Sequence, residues 1–229
     1  MNPARTLIIL PGGGDPASPL YHDVYDLIEE LALAVGYSSV DKSVRWVGHS
    51  SSGTESNLAF DSAVETARNV IQGHEAKNAD YDILARSFGC AVALIAASCR
   101  PSGLGKIILW GPSPFWKMWE LLVRDIEATA CDSEKRGLRM DASLFPSLVP
   151  IEIALPTTTV QTFVAYGTKD RLVPESFIDH LIDLSKANSF VKAARSAEGA
   201  SHEVTKAAGA AVIDNYRNAL FYSELNIVE

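Results

Sequence analysis

Unbroken apolar runs alternate along this chain with stretches whose apolar residues recur every three or four positions, and that alternation lays out a fold. Thr6-Leu7-Ile8-Ile9-Leu10 is a β-rich run of the kind buried on both faces of a parallel sheet. It stops at Pro11-Gly12-Gly13-Gly14-Asp15-Pro16, where glycines let backbone amides come close to a ligand. Across 20–35, Leu20, Val24, Leu27, Ile28, Leu31 and Val35 fall at helical spacing, and Gly36 closes that helix. Ser43-Val44-Arg45-Trp46-Val47 reads as a second strand, followed by the polar loop 48–54 and a helix over 60–71.

Ile83-Leu84-Ala85 is the next buried strand, and the small, apolar residues after Gly89 form a close-packed helix to about residue 98. Lys106-Ile107-Ile108-Leu109-Trp110 is a further strand. The region 111–156 breaks the rhythm with Phe115, Trp116, Met118 and Trp119, a charged run at 132–136 and scattered prolines; two short helices and a loop fit it. Val160 to Tyr166 resumes the strand pattern, a helix follows over 175–186, a weaker strand over 189–194, and a long helix over 204–222 closes the chain. About six strands alternating with helices predict an α/β fold, a doubly wound, mostly parallel sheet. Right-handed crossovers gather the C-terminal ends of its strands along one edge, where ligands bind.

Composition narrows the functional classes. A chain of 229 residues fits one domain, 1–229, with a full core. A net charge of -8 argues against nucleic acid and against anionic membrane surfaces as partners. No apolar run reaches the length of a membrane span, and Met1-Asn2-Pro3-Ala4-Arg5 leads into a strand without the features of a secretory leader. Cys90, Cys99 and Cys131 are odd in number and lack metal-type spacing, so free thiols in a cytoplasmic setting are expected.

The candidate chemistry centres on Ala85-Arg86-Ser87-Phe88-Gly89, between a strand and a helix. Small residues two positions either side of Ser87 allow a tight reversal that leaves the hydroxyl projecting, and the first amide of the helix faces whatever oxygen approaches it. A helix N-cap serine is the plain alternative for such a pentapeptide. The stretch resembles the nucleophile elbow of α/β-hydrolases, with Ala85 where glycine is commoner. The resemblance implies a trimmed form of that fold over nearly the whole chain, with the opening antiparallel hairpin missing and 111–156 inserted as a small helical cap or lid.

On that fold the order along the chain is serine, acid, histidine, each on a loop after a strand. The turn Gly167-Thr168-Lys169-Asp170-Arg171-Leu172-Val173-Pro174 resembles the acid loop, and Glu198-Gly199-Ala200-Ser201-His202 the loop of the base. Ser87, Asp170 and His202 are therefore the expected catalytic residues. His22, His49 and His74 precede the serine, and His180 falls within a helix. The loop at Gly12 and Gly13 resembles the glycine loop of esterases; Pro11 has no amide, so Gly13 is the expected oxyanion donor beside the Phe88 amide. Arg86 is expected to meet a substrate carboxylate or a cap acid. Phe115, Trp116 and Trp119 are expected either to line an acyl or alcohol pocket or to anchor the cap.

Gly48-His49-Ser50-Ser51-Ser52-Gly53 imitates an elbow, but no packed helix follows it, and it reads as a rim loop. The expected activity is hydrolysis of a small or medium carboxylic ester or thioester, with no metal and no cofactor. A C–C hydrolase or lyase on the same residues, and a non-catalytic binder of this fold, are the alternatives. Substrate identity and oligomeric state stay open.

Overall fold

The structure, a computed structural model, describes residues 5–13, 18–46, 60–113 and 151–221. The expected cap residues Phe115, Trp116, Met118 and Trp119, and the imitation elbow at 48–53, lie outside the described residues.

Six strands form one sheet in the order β2-β1-β3-β4-β5-β6, and every neighbouring pair is parallel. The strands are β1 (Arg5–Leu10), β2 (Ser39–Asp41), β3 (Asp80–Arg86), β4 (Leu104–Trp110), β5 (Thr162–Gly167) and β6 (Arg195–Ala197). The helices are α1 (Pro19–Ala34), α2 (Phe60–Glu75), α3 (Phe88–Ala96), the short α4 (Ile151–Ala154), α5 (Glu175–Leu184) and α6 (Ala210–Phe221).

Strand periodicity assigns each side chain to one of two cores. Ile8, Leu10, Ile83, Ala85, Ile107, Leu109 and Val164 pack with α2, α3 and α5 on one face. Leu7, Ile9, Leu84, Ile108, Trp110 and Ala165 pack with α1 and α6 on the other. Since successive side chains point to opposite faces, a strand buried on both sides has to read as an unbroken apolar run. That reading holds for β1, β3, β4 and β5.

The two edge strands differ from expectation. The second strand was expected over 43–47, but pairing with β1 involves Ser39, Val40 and Asp41. Asp41 Oδ1 then accepts the Ser43 amide at 2.8 Å, which turns the chain, while Val44 and Trp46 still bury their side chains. The last strand was expected over 189–194. Val191 makes a single bridge to Thr162, and the ladder with β5 begins only at Arg195. The final helix starts later than expected, at Ala210, after the turn Lys206–Ala208 and a Gly209 at φ 84°.

Chain order reverses between β1 and β3, the switch point where the carboxyl ends of neighbouring strands open a crevice. The loops after β1, β3, β4 and β5 all leave the sheet along this edge. So does the segment that follows β6.

Candidate active site

Ser87 is the residue between β3 and α3, and its backbone sits at φ 49°, ψ -118°. This conformation is costly for any residue with a Cβ, of order 1–3 kcal/mol, and is kept only where the surroundings force it. A capping serine has extended backbone and bonds a nearby amide. Ser87 does neither: its side chain makes no cap bond, and its hydroxyl lies 2.7 Å from Ser113 Oγ. Ser87 thus stands at the N-cap position of α3 without its side chain capping the helix.

The turn is held from three sides. Ser87 N–H donates to Trp110 O at 3.0 Å, tying the serine to the end of β4. Gly89 lies so close to β1 that a Cβ there would sit 2.5 Å from Pro11 O and 2.7 Å from Leu10 O. Only glycine permits that approach, which draws the glycine loop against the serine. Phe88 is buried edge-to-face against Trp46 and Phe60, with ring centroids 6.0 Å away in both cases. Its amide is the first of α3 and has no intrahelical acceptor.

The glycine loop is fixed by Trp46 and Tyr25, and Tyr25 limits which amide it offers. Trp46 Nε1–H donates to Pro11 O at 3.1 Å and to Gly12 O at 3.3 Å. Gly12 N–H donates to the Tyr25 hydroxyl at 2.9 Å. The Gly12 amide is thus engaged away from any substrate, although its Cα closely faces the Ser87 side chain. Of these two glycines, Gly13 is the one left to offer an amide.

Asp170 and His202 meet on adjoining loops. Thr168 N–H and Lys169 N–H donate to Ala197 O and Ala200 O, so the loop after β5 is zipped to the loop after β6. Asp170 Oδ1 accepts the amides of Leu172 and Val173, both at 2.9 Å, which leaves Oδ2 to His202 Nδ1 at 2.7 Å. An ionised carboxylate only accepts, so it places the proton on Nδ1 and leaves Nε2 with a free lone pair. Both side chains are buried.

The imidazole rests on Gly111, the residue after β4. A Cβ on Gly111 would stand 3.0 Å from both Cε1 and Nδ1 of His202 and 3.1 Å from Asp170 Oδ2. The Trp110-Gly111 pair thus touches the serine on one side and the imidazole on the other. Ser87 and His202 make no hydrogen bond to each other; the serine hydroxyl is turned to Ser113 and the imidazole to Asp170.

Arg86 does not extend toward an incoming substrate. Its guanidinium is buried on the α1/α6 face, donating to the Tyr25 hydroxyl at 3.1 Å and to His202 O at 2.9 Å. Side-chain alternation accounts for this, because Arg86 follows Ala85 and so falls on the face opposite to it. Cys90, three residues beyond Ser87, is a buried free thiol whose burial pushes its pKa up, so it stays protonated.

Sequence reading missed Ser113, Gly111 and Tyr25. The first two stand just after β4, the strand that pairs with β3, and Ser113 there reaches the Ser87 hydroxyl. Tyr25 lies 61 residues from Arg86, with nothing local to mark it.

No protein-family model matches the chain, and neither does any curated relative. Solved structures do superpose. A structure from a study of carboxylesterases of the ammonia-oxidising thaumarchaeon Nitrososphaera gargenis aligns with TM-score 0.60 at 15% identity, over 92% of this chain and 85% of that one. An extracellular α/β-hydrolase from a Paenibacillus species aligns with TM-score 0.58 at 14% identity, over 94% of this chain and 99% of its own. The deformylase Nfo of Pseudomonas putida S16 aligns with TM-score 0.50 at 14% identity, over 86% and 85%. This is the α/β-hydrolase fold. Ser87 follows β3, Asp170 follows β5 and His202 follows β6. No helix among the described residues is long and apolar enough to cross a membrane. No cluster of metal-ligating side chains occurs among them either.

Proposed function

We propose that this chain is a serine hydrolase that cleaves a small or medium carboxylic ester or thioester through an acyl-enzyme on Ser87. The observation that carries the reading is the 2.7 Å contact of His202 Nδ1 with Asp170 Oδ2, on the same sheet edge as the strained Ser87 turn. A hydroxyl needs a base to become a nucleophile, and an imidazole fixed in one tautomer by a carboxylate is that base.

In this reading Ser87 turns about χ1 from Ser113 toward His202 Nε2 as substrate enters. His202 takes the proton as Oγ attacks the acyl carbon, and Asp170 steadies the imidazolium. The amides of Gly13 and Phe88 receive the negative oxygen. His202 returns the proton to the leaving group, and a water repeats the sequence to free the acid.

Fluorophosphonate labelling followed by peptide mass spectrometry tests the reading. An adduct on Ser87, hydrolysis of short p-nitrophenyl esters, and loss of both in Ser87→Ala are expected. A protein that forms no adduct and hydrolyses no ester or thioester would instead be a binder built on this fold.

A further inference from the structure

The buried guanidinium of Arg86 joins two parts of the site that no backbone ladder joins. One arm, Nη2, donates to the main-chain carbonyl of His202 at 2.9 Å, and Trp110 Nε1–H donates to the same carbonyl at 2.9 Å. The other arm, Nη1, donates to the Tyr25 hydroxyl at 3.1 Å. That hydroxyl also accepts the Gly12 amide at 2.9 Å. The path from His202 O through Arg86 and Tyr25 to Gly12 N–H therefore consists of three hydrogen bonds, all in the interior. The guanidinium also lies 5.3 Å from the Tyr25 ring centroid, which adds a cation–π contact.

A planar guanidinium fixes the angle between its two donors, so it transmits position as a point charge on a flexible stem does not. Burial strengthens each bond and makes it costly for either end to move alone. We propose that Arg86 and Tyr25 act as a positioning strut that sets the base loop at His202 and the oxyanion loop at Gly12-Gly13 in register across the nucleophile. Arg86 is not a catalytic residue in this scheme, because it touches no reacting atom. The strut rests on the hydrolase reading for its purpose, but its existence as a coupling is tested apart from activity.

The variants are Tyr25→Phe, Arg86→Met and the double variant of the full chain. In Tyr25→Phe the ring and its packing remain, while the two bonds to the hydroxyl go. The Gly12 amide then exchanges faster with solvent, and the imidazole resonances of His202 shift although Tyr25 does not touch that ring. A change at Gly12 with His202 resonances unmoved overturns the strut.

With a p-nitrophenyl ester, kcat of each single variant falls about tenfold while KM stays within about twofold, the signature of lost alignment. The double variant falls no further than the worse single one, because both act along a single path. Multiplying losses, or a rise in KM alone, also overturn the proposal. If Arg86→Met does not fold, the Tyr25→Phe resonances decide. If wild type hydrolyses nothing and takes no fluorophosphonate label, the hydrolase reading fails, and the resonances still report on the coupling.

Discussion

The hydroxyls of Ser87 and Ser113 lie 2.7 Å apart, so the proposed nucleophile rests against a second hydroxyl and not against its base. Either hydroxyl can donate in this pair, and in both arrangements Ser87 has to leave Ser113 before its proton reaches His202. Turning away from Ser113 costs that bond, about 0.5–1.5 kcal/mol in net terms. Ser113→Ala should therefore speed fluorophosphonate labelling of Ser87, by roughly two- to tenfold on the same arithmetic. Stopped-time labelling checks it. A slower rate would mean that Ser113 donates its own proton and supports the oxygen as it attacks.

Strain at Ser87 yields a second prediction, independent of chemistry. At φ 49° any Cβ is unfavourable, whereas glycine adopts positive φ readily. Ser87→Ala and Ser87→Gly should both lose labelling and hydrolysis. Ser87→Gly should nevertheless be the more stable of the two, by about 1 kcal/mol, as the turn relaxes. Urea unfolding of the pair measures this difference, and equal midpoints would mean that the strain is no larger than the ~0.5–1 kcal/mol that glycine's extra freedom in the unfolded chain costs.

Much of this geometry is legible in the sequence, for a physical reason. Strands β1, β3, β4 and β5 are covered on both faces, so burial writes them as apolar runs such as Leu7-Ile8-Ile9-Leu10. The small residues Ala85 and Gly89 mark the turn because close packing excludes anything larger. Edge strands β2 and β6 are three residues each, and their neighbours' ladders decide where they begin. Arg86 shows a different limit. Its place next to the nucleophile is plain, but which way it points depends on strand alternation and on a tyrosine in a distant helix.

Gly111 offers the sharpest steric test. Its φ of 54° penalises alanine by about 1–2 kcal/mol. The added methyl would also press on His202 and on Asp170 Oδ2 at 3.0–3.1 Å. Gly111→Ala should therefore be destabilised by about 1–3 kcal/mol, with the imidazole displaced. A displacement of that kind should lower kcat/KM by about tenfold or more. Unchanged kinetics in a folded Gly111→Ala would place the working imidazole elsewhere.

Acid sensitivity is predicted at the end of β2, away from the site. Asp41 Oδ1 accepts the Ser43 amide at 2.8 Å, and Oδ2 pairs with His74 Nε2 of α2 at 2.9 Å. Burial alone would raise the Asp41 pKa, but the bonds from Ser43 and His74 outweigh it and hold the carboxyl below its usual range. A carboxyl depressed by folding stabilises the native state fully above its unfolded pKa of about 3.9, and loses that contribution as pH falls through the folded value. Asp41→Asn should thus be less stable than wild type at pH 6, and the gap should close as the pH drops below about 4. Denaturant unfolding of both proteins from pH 7 to pH 3 follows the gap. A gap that stayed constant over that range would mean that the carboxylate's charge contributes nothing to holding β2 on α2.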